Sequence, residues 1–225
     1  MTFDWHREAE KQWDGRASFW NKNSKSMWDE GSRKTIIPKF ENHVPKGAKV
    51  ADLGCGDGYG SYLLHNRGYK VIGLDLSKEM IDKANERLED QTLHFIQGDI
   101  TSLPFESESF NAVLCVNAME WVRHPIEALL EMKRIVKPGG KLLIGILGPT
   151  AKPRENSYPR LNGEKVICNT MMPWEFRQLA LENGLNVIDG HGVYKREVRD
   201  QHINGLPEEL KQALTFMWVF VLEKE

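Results

Sequence analysis

An α/β chain, with a mostly parallel sheet covered by helices on both faces, is predicted by three observations. Short apolar runs rich in Val, Ile and Leu at 49–53, 70–74, 92–96, 110–116 and 140–147 alternate with helical segments near 58–66, 78–89 and 125–135. Strands buried on both faces read as continuous apolar runs, and the helices between them are the crossovers that parallel strands need. The first run also turns sharply through Gly54, Gly56, Gly58 and Gly60, a composition that lets a ligand come against the backbone at a helix start. Finally, Gly54, Asp75, Asp99 and Asn117 each follow a strand, so they converge on the rim where such sheets bind ligands.

Before the sheet, residues 1–48 carry Trp5, Trp13, Trp20 and Trp28 at intervals of seven to eight, compatible with one face of interrupted helices. These aromatics either pack a helical cap onto the sheet edge or line a cavity above it. Gly31 to His43 reads as a helix that Pro38 shortens or kinks, and Pro45-Lys46-Gly47 turns into the first strand. Ser77 is placed to cap the helix at 78–89. The polar, turn-rich stretch Thr150 to Gly163 is either a cover over a pocket or a surface connection. Pro173 suits the first turn of a helix running to Asn183. Strand candidates at 185–193 and 214–223 bring the sheet to seven, and the charged run Tyr194 to His202 between them reads as a solvated face.

At 225 residues the chain fills one core, and a second independent domain would be a squeeze. Lys and Arg number 30 against 32 Asp and Glu, for a formal charge of −2, which argues against nucleic acid as the main partner. Cys55, Cys115 and Cys168 stand apart with no Cys-x-x-Cys, the usage of a reduced, cytoplasmic protein. The N-terminus is polar and no apolar run approaches 18 residues, so neither a signal peptide nor a membrane span is expected. The seven histidines form no metal-ligand spacing, and no metal is expected.

At the glycine turn, Asp52 and Asp57 flank the place where a pyrophosphate would lie, and like charges so close favour a neutral or cationic ligand. That disfavours a dehydrogenase, and the absence of Gly-Lys-Ser/Thr excludes a Walker loop. Asp75, about 20 residues beyond the turn, is placed to accept hydrogen bonds from both hydroxyls of a ribose.

Asp52-Leu-Gly-Cys-Gly-Asp-Gly58 resembles motif I of the class I S-adenosylmethionine-dependent methyltransferases. The resemblance continues through Val71–Ser77, Gln97–Phe105, Phe110–Asn117 and Ile135–Leu143, covering roughly residues 45 to 147. It is most similar to the small-molecule branch related to the ubiquinone and menaquinone biosynthesis C-methylases. The resemblance implies a Rossmann-like fold with one antiparallel strand near the C-terminus, fitted by Phe216 to Leu222. It also implies S-adenosyl-L-methionine as cofactor, with residues 1–48 as a helical lid on a binding domain at 49–225.

The implied contacts are specific. Gly54, Cys55, Gly56 and Gly58 form the turn, Asp52 organises the methionine amino end, and Asp75 takes the ribose. Asp99 takes the adenine amine, with Ile100, Leu76 and Met80 against the ring, and Asn117 stands near the transferable methyl. Asn117-Ala118-Met119 lacks the prolines of the base N-methylases, and no Pro-Cys segment provides a cysteine nucleophile. Transfer from a sulfonium needs alignment and water exclusion more than a catalytic pair. Glu120 and His124 are the candidates should a base be required, and Trp20, Trp28 and Trp121 are the acceptor or lid candidates. The expected activity is methylation of a small, partly apolar metabolite by a monomer or homodimer. A catalytically silent cofactor-binding scaffold or regulatory protein is the alternative, and rRNA, tRNA or protein methylation a further one.

Overall fold

The structure, a computed structural model, describes residues 3–87 and 93–225. Three helices precede the sheet: α1 (Trp5–Asp14), α2 (Ala17–Asp29) and α3 (Ile36–His43). Asp4 caps α1 by accepting from the Arg7 N–H. Helix α3 starts later than the expected Gly31, because residues 31–35 form turns. Proline in a helix interior removes a hydrogen bond and clashes with the carbonyl four residues back. Starting at Ile36 puts Pro38 in the first turn, where its missing N–H needs no partner.

From there strands and helices alternate: β1 (Lys49–Leu53), α4 (Tyr59–His65), β2 (Lys70–Asp75), α5 (Lys78–Asn85), β3 (His94–Gln97), β4 (Phe110–Val116), α6 (Pro125–Ile135) and β5 (Val136–Leu147). The chain closes with α7 (Pro173–Glu182), β6 (Leu185–Tyr194), α8 (Asp200–Ile203), α9 (Glu208–Ala213) and β7 (Thr215–Lys224). The helix expected over 78–89 is described to Asn85; its positions 88 and 89, and position 92 of the expected third strand, lie outside the described residues. Strand β5 begins four residues before the expected start, and a register shift opposite Phe110 and Ala112 absorbs its Pro-Gly-Gly. The short helix α8 begins within the charged run expected as a solvated face and buries none of its side chains, and α9 follows beyond that run.

The seven strands form one sheet in the order β3-β2-β1-β4-β5-β7-β6. All neighbours are parallel except those of β7, which runs antiparallel to both β5 and β6. Successive residues of β4 feed opposite faces, as a period of two dictates. Val113 and Cys115 pack with α6 and α7, whereas Ala112 and Leu114 pack with α3 and α4. The strand order reverses between β1 and β4, which opens a crevice at their carboxyl ends. A third apolar cluster sits beyond that rim, joining Ala9 and Trp13 of α1 to Trp121, Leu147, Ala151 and Ile167.

Candidate functional site

Above the crevice lies a cavity that, mouth included, encloses about 1030 Å³. Its floor is the set of turns that leave β1, β2, β3 and β4; its roof comes from α1, α2 and the turn after α2.

The floor begins at the glycine turn. Gly54 has φ +70°, and a Cβ there would lie 2.4 Å from the Ala118 Cβ, so the turn and the end of β4 meet only because the side chain is absent. Gly56, at φ +57°, keeps its backbone open to the cavity. The turn is internally satisfied, since the Gly54 and Cys55 N–H groups both donate to the Leu74 carbonyl at 2.7 and 3.0 Å. Gly58 belongs to packing instead: a Cβ there would fall 2.5 Å from the Phe95 ring, and it is absent from the cavity wall.

Asp75 reaches the cavity from the end of β2 and is held by two backbone donors, Gly56 N–H at 2.8 Å and Ser77 N–H at 2.9 Å. Burial pushes its carboxyl up to about 6, against the lowering effect of those two bonds. Asp52 lies beneath the turn, off the cavity wall, accepting from Ser61 Oγ at 2.6 Å; burial raises it to about 6 as well. Asp57 departs from the sequence expectation. Its carboxylate is paired with Arg87 Nη2 at 2.6 Å and accepts from Ser24 Oγ at 2.6 Å, so its charge is compensated and it ties α2 to the turn. The negative character of the floor therefore rests on Asp75, with Asp52 behind it.

Leu76, Met80 and Ile100 provide apolar walls on the side of Asp99. Asp99 is already engaged: one oxygen accepts from the Thr101 N–H at 2.8 Å and the other lies 2.9 Å from His6 Nδ1 of α1. At the end of β4, Asn117 adopts φ +57°, rare for a residue with a side chain and costly enough to mark functional positions. Its Oδ1 is buried with no hydrogen-bond partner among the described residues. Its backbone carbonyl accepts from Trp121 Nε1, and the Trp121 carbonyl accepts from Trp5 Nε1, each at 2.7 Å.

The roof is aromatic. Trp13 meets Trp121 edge-on with ring centroids 5.3 Å apart, Trp20 follows at 6.2 Å from Trp13, and all three line the cavity with Phe216. Trp28 does not join them. It is 6% exposed and lies over α4, where a Cβ on Gly60 would come within 2.5 Å of its ring. Helical spacing alone does not tell which tryptophan faces the crevice and which the core. The stretch Thr150 to Gly163 contains 3-10 turns over Lys152–Asn162; Pro153 reaches the cavity, and Arg16 Nη2 donates to Asn156 Oδ1 at 3.0 Å, joining the roof to it.

Neither base candidate reaches the cavity wall. Glu120 is fully buried, with Oε1 accepting from the Leu147 N–H at 2.5 Å and Oε2 unpartnered among the described residues; burial raises its carboxyl. His124 stands at the start of α6 and lines a separate, adjoining cleft with Trp5, His6 and Arg123. Sequence reading missed Trp13, Phe216 and Arg33 as cavity residues. Trp13 shared the seven-residue spacing of Trp20; Arg33 carried no signal, because residues 31–35 read as helix.

These residues fit S-adenosylmethionine. A glycine turn without side chains admits a ligand against the backbone, a buried carboxylate suits a diol, apolar walls suit a purine, and Asn117 Oδ1 is an acceptor lacking a donor. Residues 51–144 match the family model described as a methyltransferase domain. Over 113 residues the chain is 38% identical to a demethylmenaquinone methyltransferase of Renibacterium salmoninarum, covering 50% of this chain and 47% of that one. It is 28% identical over 168 residues to a ubiquinone biosynthesis O-methyltransferase of Coxiella burnetii, covering 69% and 71%. The chain thus spans about half the length of the first of these relatives. Among solved structures it is similar to a chain from the complex between the Haloferax volcanii Trm112 methyltransferase activator and its assigned methyltransferase, with TM-score 0.75, 23% identity and 96% of both chains covered. The family model thus matches the motif-bearing stretch, residues 51–144, and the likeness to that solved chain is one of fold, carried by the seven-stranded sheet around the crevice.

Proposed function

We propose that the chain methylates a small, partly apolar metabolite, with a hydroxylated or quinol-like ring as the acceptor class its quinone-biosynthesis relatives point to. The observation that carries this reading is one continuous cavity running from the glycine turn and Asp75 to the aromatic pocket of Trp13, Trp20, Trp121 and Phe216. When bound, S-adenosylmethionine supplies a methyl group on a sulfonium, already activated for in-line displacement.

The chain's own residues then have five tasks. Asp75 accepts from the ribose hydroxyls, and Asp99 with Ile100, Leu76 and Met80 holds the adenine. Asp52 sets the field at the amino end. Asn117 offers its free Oδ1 to a polar hydrogen of the ligand. The aromatic walls align a flat acceptor and keep water from the reacting atoms. Residues 1–48 act as the lid over a domain at 49–225, because α1 and α2 supply Ala9, Trp13, Trp20 and Met27 to the roof. Glu120 and His124 stand off the cavity wall, so the reaction proceeds without either as base. Among the described residues no helix is long and apolar enough to cross a membrane. The protein works in a reducing, cytoplasmic setting as a monomer or homodimer, without nucleic acid as its main partner.

The deciding experiment is turnover of S-adenosylmethionine against a panel of quinols, phenols and amphiphilic amines, with tRNA and a protein lysate as controls. Methylated quinol or phenol is the expected product. Cofactor binding without turnover of any small acceptor would instead establish the scaffold alternative.

A further inference from the structure

Two neighbouring residues in the first turn of α1 reach different parts of the site. His6 Nδ1 lies 2.9 Å from the Asp99 carboxylate, and Trp5 Nε1 donates to the Trp121 carbonyl at 2.7 Å. Trp5 does not line the main cavity; its ring stands in the adjoining cleft, edge-on to Phe3 with centroids 6.2 Å apart. What it touches is the turn that carries Trp121, and that turn is held through its carbonyls. Asn169 Nδ2 donates to the Met119 carbonyl at 2.7 Å and to that of Val122 at 2.8 Å, and the Asn169 N–H donates to the Glu120 carbonyl at 2.9 Å. Asn169 thus pins the carbonyls on either side of Trp121, and the Trp121 carbonyl itself is left to the roof. The Trp121 ring in turn donates to the Asn117 carbonyl at 2.7 Å, and the Asn117 N–H donates to the Gly145 carbonyl at 2.9 Å. A residue with a side chain persists at φ +57° only where its surroundings over-determine it, and these two bonds do so here. The placement of the unpartnered Asn117 Oδ1 therefore depends on the placement of Trp121.

We propose that Trp5 is a positioning residue, which by bonding the Trp121 carbonyl when α1 is seated couples closure of the roof to the alignment of Trp121 and Asn117. This inference rests on the cofactor and lid readings above. With α1 lifted, the turn keeps its bonds to Asn169 and gains freedom at Trp121, whose carbonyl then bonds water. Because Trp5 and His6 are adjacent on one helical turn, a ligand that draws α1 down over Asp99 brings Trp5 to Trp121 in the same movement. The coupling is reciprocal, so an aligned Trp121 also favours the seated α1. A site built this way completes its aromatic wall only under a closed roof, the state from which water is excluded. Packing does not require the N–H: the Trp5 ring is only partly buried against the Ala9 and Trp121 cluster, and a ring without a donor would fill the same space.

Indole N–H exchange, followed by NMR on the full chain with S-adenosylhomocysteine as the probe, tests this. Each tryptophan gives one indole cross-peak, and that of Trp121 is assigned by its loss in Trp121→Phe. In wild type, S-adenosylhomocysteine should slow exchange of the Trp121 indole N–H. Trp5→Phe keeps an aromatic ring and removes one donor; there the slowing should shrink by about tenfold, roughly what one hydrogen bond is worth, while calorimetry shows the probe still bound. Gln97→Ala is the control for an ordinary fastening, since it removes the 2.9 Å bond from Gln97 Nε2 to Glu10 Oε1 of α1 and leaves the Trp5 donor in place. Its loss of slowing should be clearly smaller. If thermal melts show that Trp5→Phe has lost its fold, a benzothiophene isostere at position 5, which keeps the indole shape and lacks only the N–H, carries the comparison. Trp121 exchange in Trp5→Phe that follows wild type, or an equal loss in Gln97→Ala, overturns the proposal and leaves the cofactor reading in place. So does a probe that binds wild type without slowing Trp121 exchange. Wild type that does not bind S-adenosylhomocysteine overturns both.

Discussion

The floor and the roof of the cavity are built by different physics. The floor is backbone and buried charge: a turn whose N–H groups are satisfied by Leu74, and a carboxylate, Asp75, held by two N–H donors. The roof is aromatic surface held by a few side-chain bonds of long sequence separation. Asp14 reaches Ser77, His6 reaches Asp99, Trp5 reaches Trp121 and Arg16 reaches Asn156. A floor of that kind selects a ligand by geometry and cannot shift without breaking the sheet rim. A roof of that kind can lift without unpairing a strand, because side-chain contacts such as these, with Gln97 to Glu10 and Ser24 to Asp57, are what hold it. The enclosed cavity needs such a division, since a ligand must enter before it is surrounded.

The sharpest break in the comparison is at the floor. Asp75→Ala removes the acceptor of two proposed ribose bonds, each charge-assisted and worth roughly 1.5–3 kcal/mol. S-adenosylmethionine affinity measured by calorimetry should fall by at least tenfold. A smaller loss would mean the ribose contact lies elsewhere.

Trp28 and Trp20 separate core from roof in one experiment. Trp28→Ala empties a buried site over Gly60 and should cost about 3–5 kcal/mol of stability in denaturant melts. Trp20→Ala should leave the melt of the ligand-free protein closer to wild type and reduce the stabilisation that added S-adenosylmethionine gives. Equal destabilisation of both, with normal turnover by the folded fraction, would make Trp20 packing too. This pair also shows where the sequence stopped speaking. Both tryptophans sit in one helix eight residues apart, and the face each presents is decided by where α2 rests on α4, through the Asp57–Ser24 contact and the bare surface of Gly60. The floor was legible because its residues are strand ends, each adjacent in sequence to the apolar run that positions it. Asp57 and Arg33 were not, since the compensation of one by Arg87 and the exposure of the other to the cavity are long-range facts.

A pH titration distinguishes floor from roof by sign. The Asp75 and Asp52 carboxyls are raised to about 6 by burial, against about 4 for an unfolded aspartate. Between those values the folded state holds protons that the unfolded state has released. Stability of the ligand-free protein should therefore fall as pH rises from about 4 through 6 and level off above. Cofactor affinity should move the other way, rising through pH 6 as the acceptors ionise. In Asp75→Asn the affinity rise should flatten; an unchanged profile would assign the titration to another group.

The smallest effect on stability is expected at the roof's fastening, and kinetics are where it should appear. Asp14, at the end of α1, accepts from Ser77 Oγ at 2.6 Å and from the Glu79 N–H at 3.2 Å, so one carboxylate ties the roof to the start of α5. Ser77 still caps α5 through the Met80 N–H without it. Asp14→Ala should thus cost only about 1 kcal/mol, the net worth of an ordinary hydrogen-bonded contact. Opening of α1, however, limits how fast a ligand enters or leaves a cavity it covers. Stopped-flow tryptophan fluorescence should show S-adenosylmethionine dissociating several-fold faster from Asp14→Ala, with association faster too and the equilibrium affinity little changed. The same change in both rates is the mark of a gate, because a fastening that touches no ligand alters the barrier more than the bound state. If dissociation alone quickens, Asp14 supports the bound geometry of the floor. If neither rate moves while the melt shifts, α1 is fixed packing and the cavity opens elsewhere, with the 152–162 turn as the remaining cover.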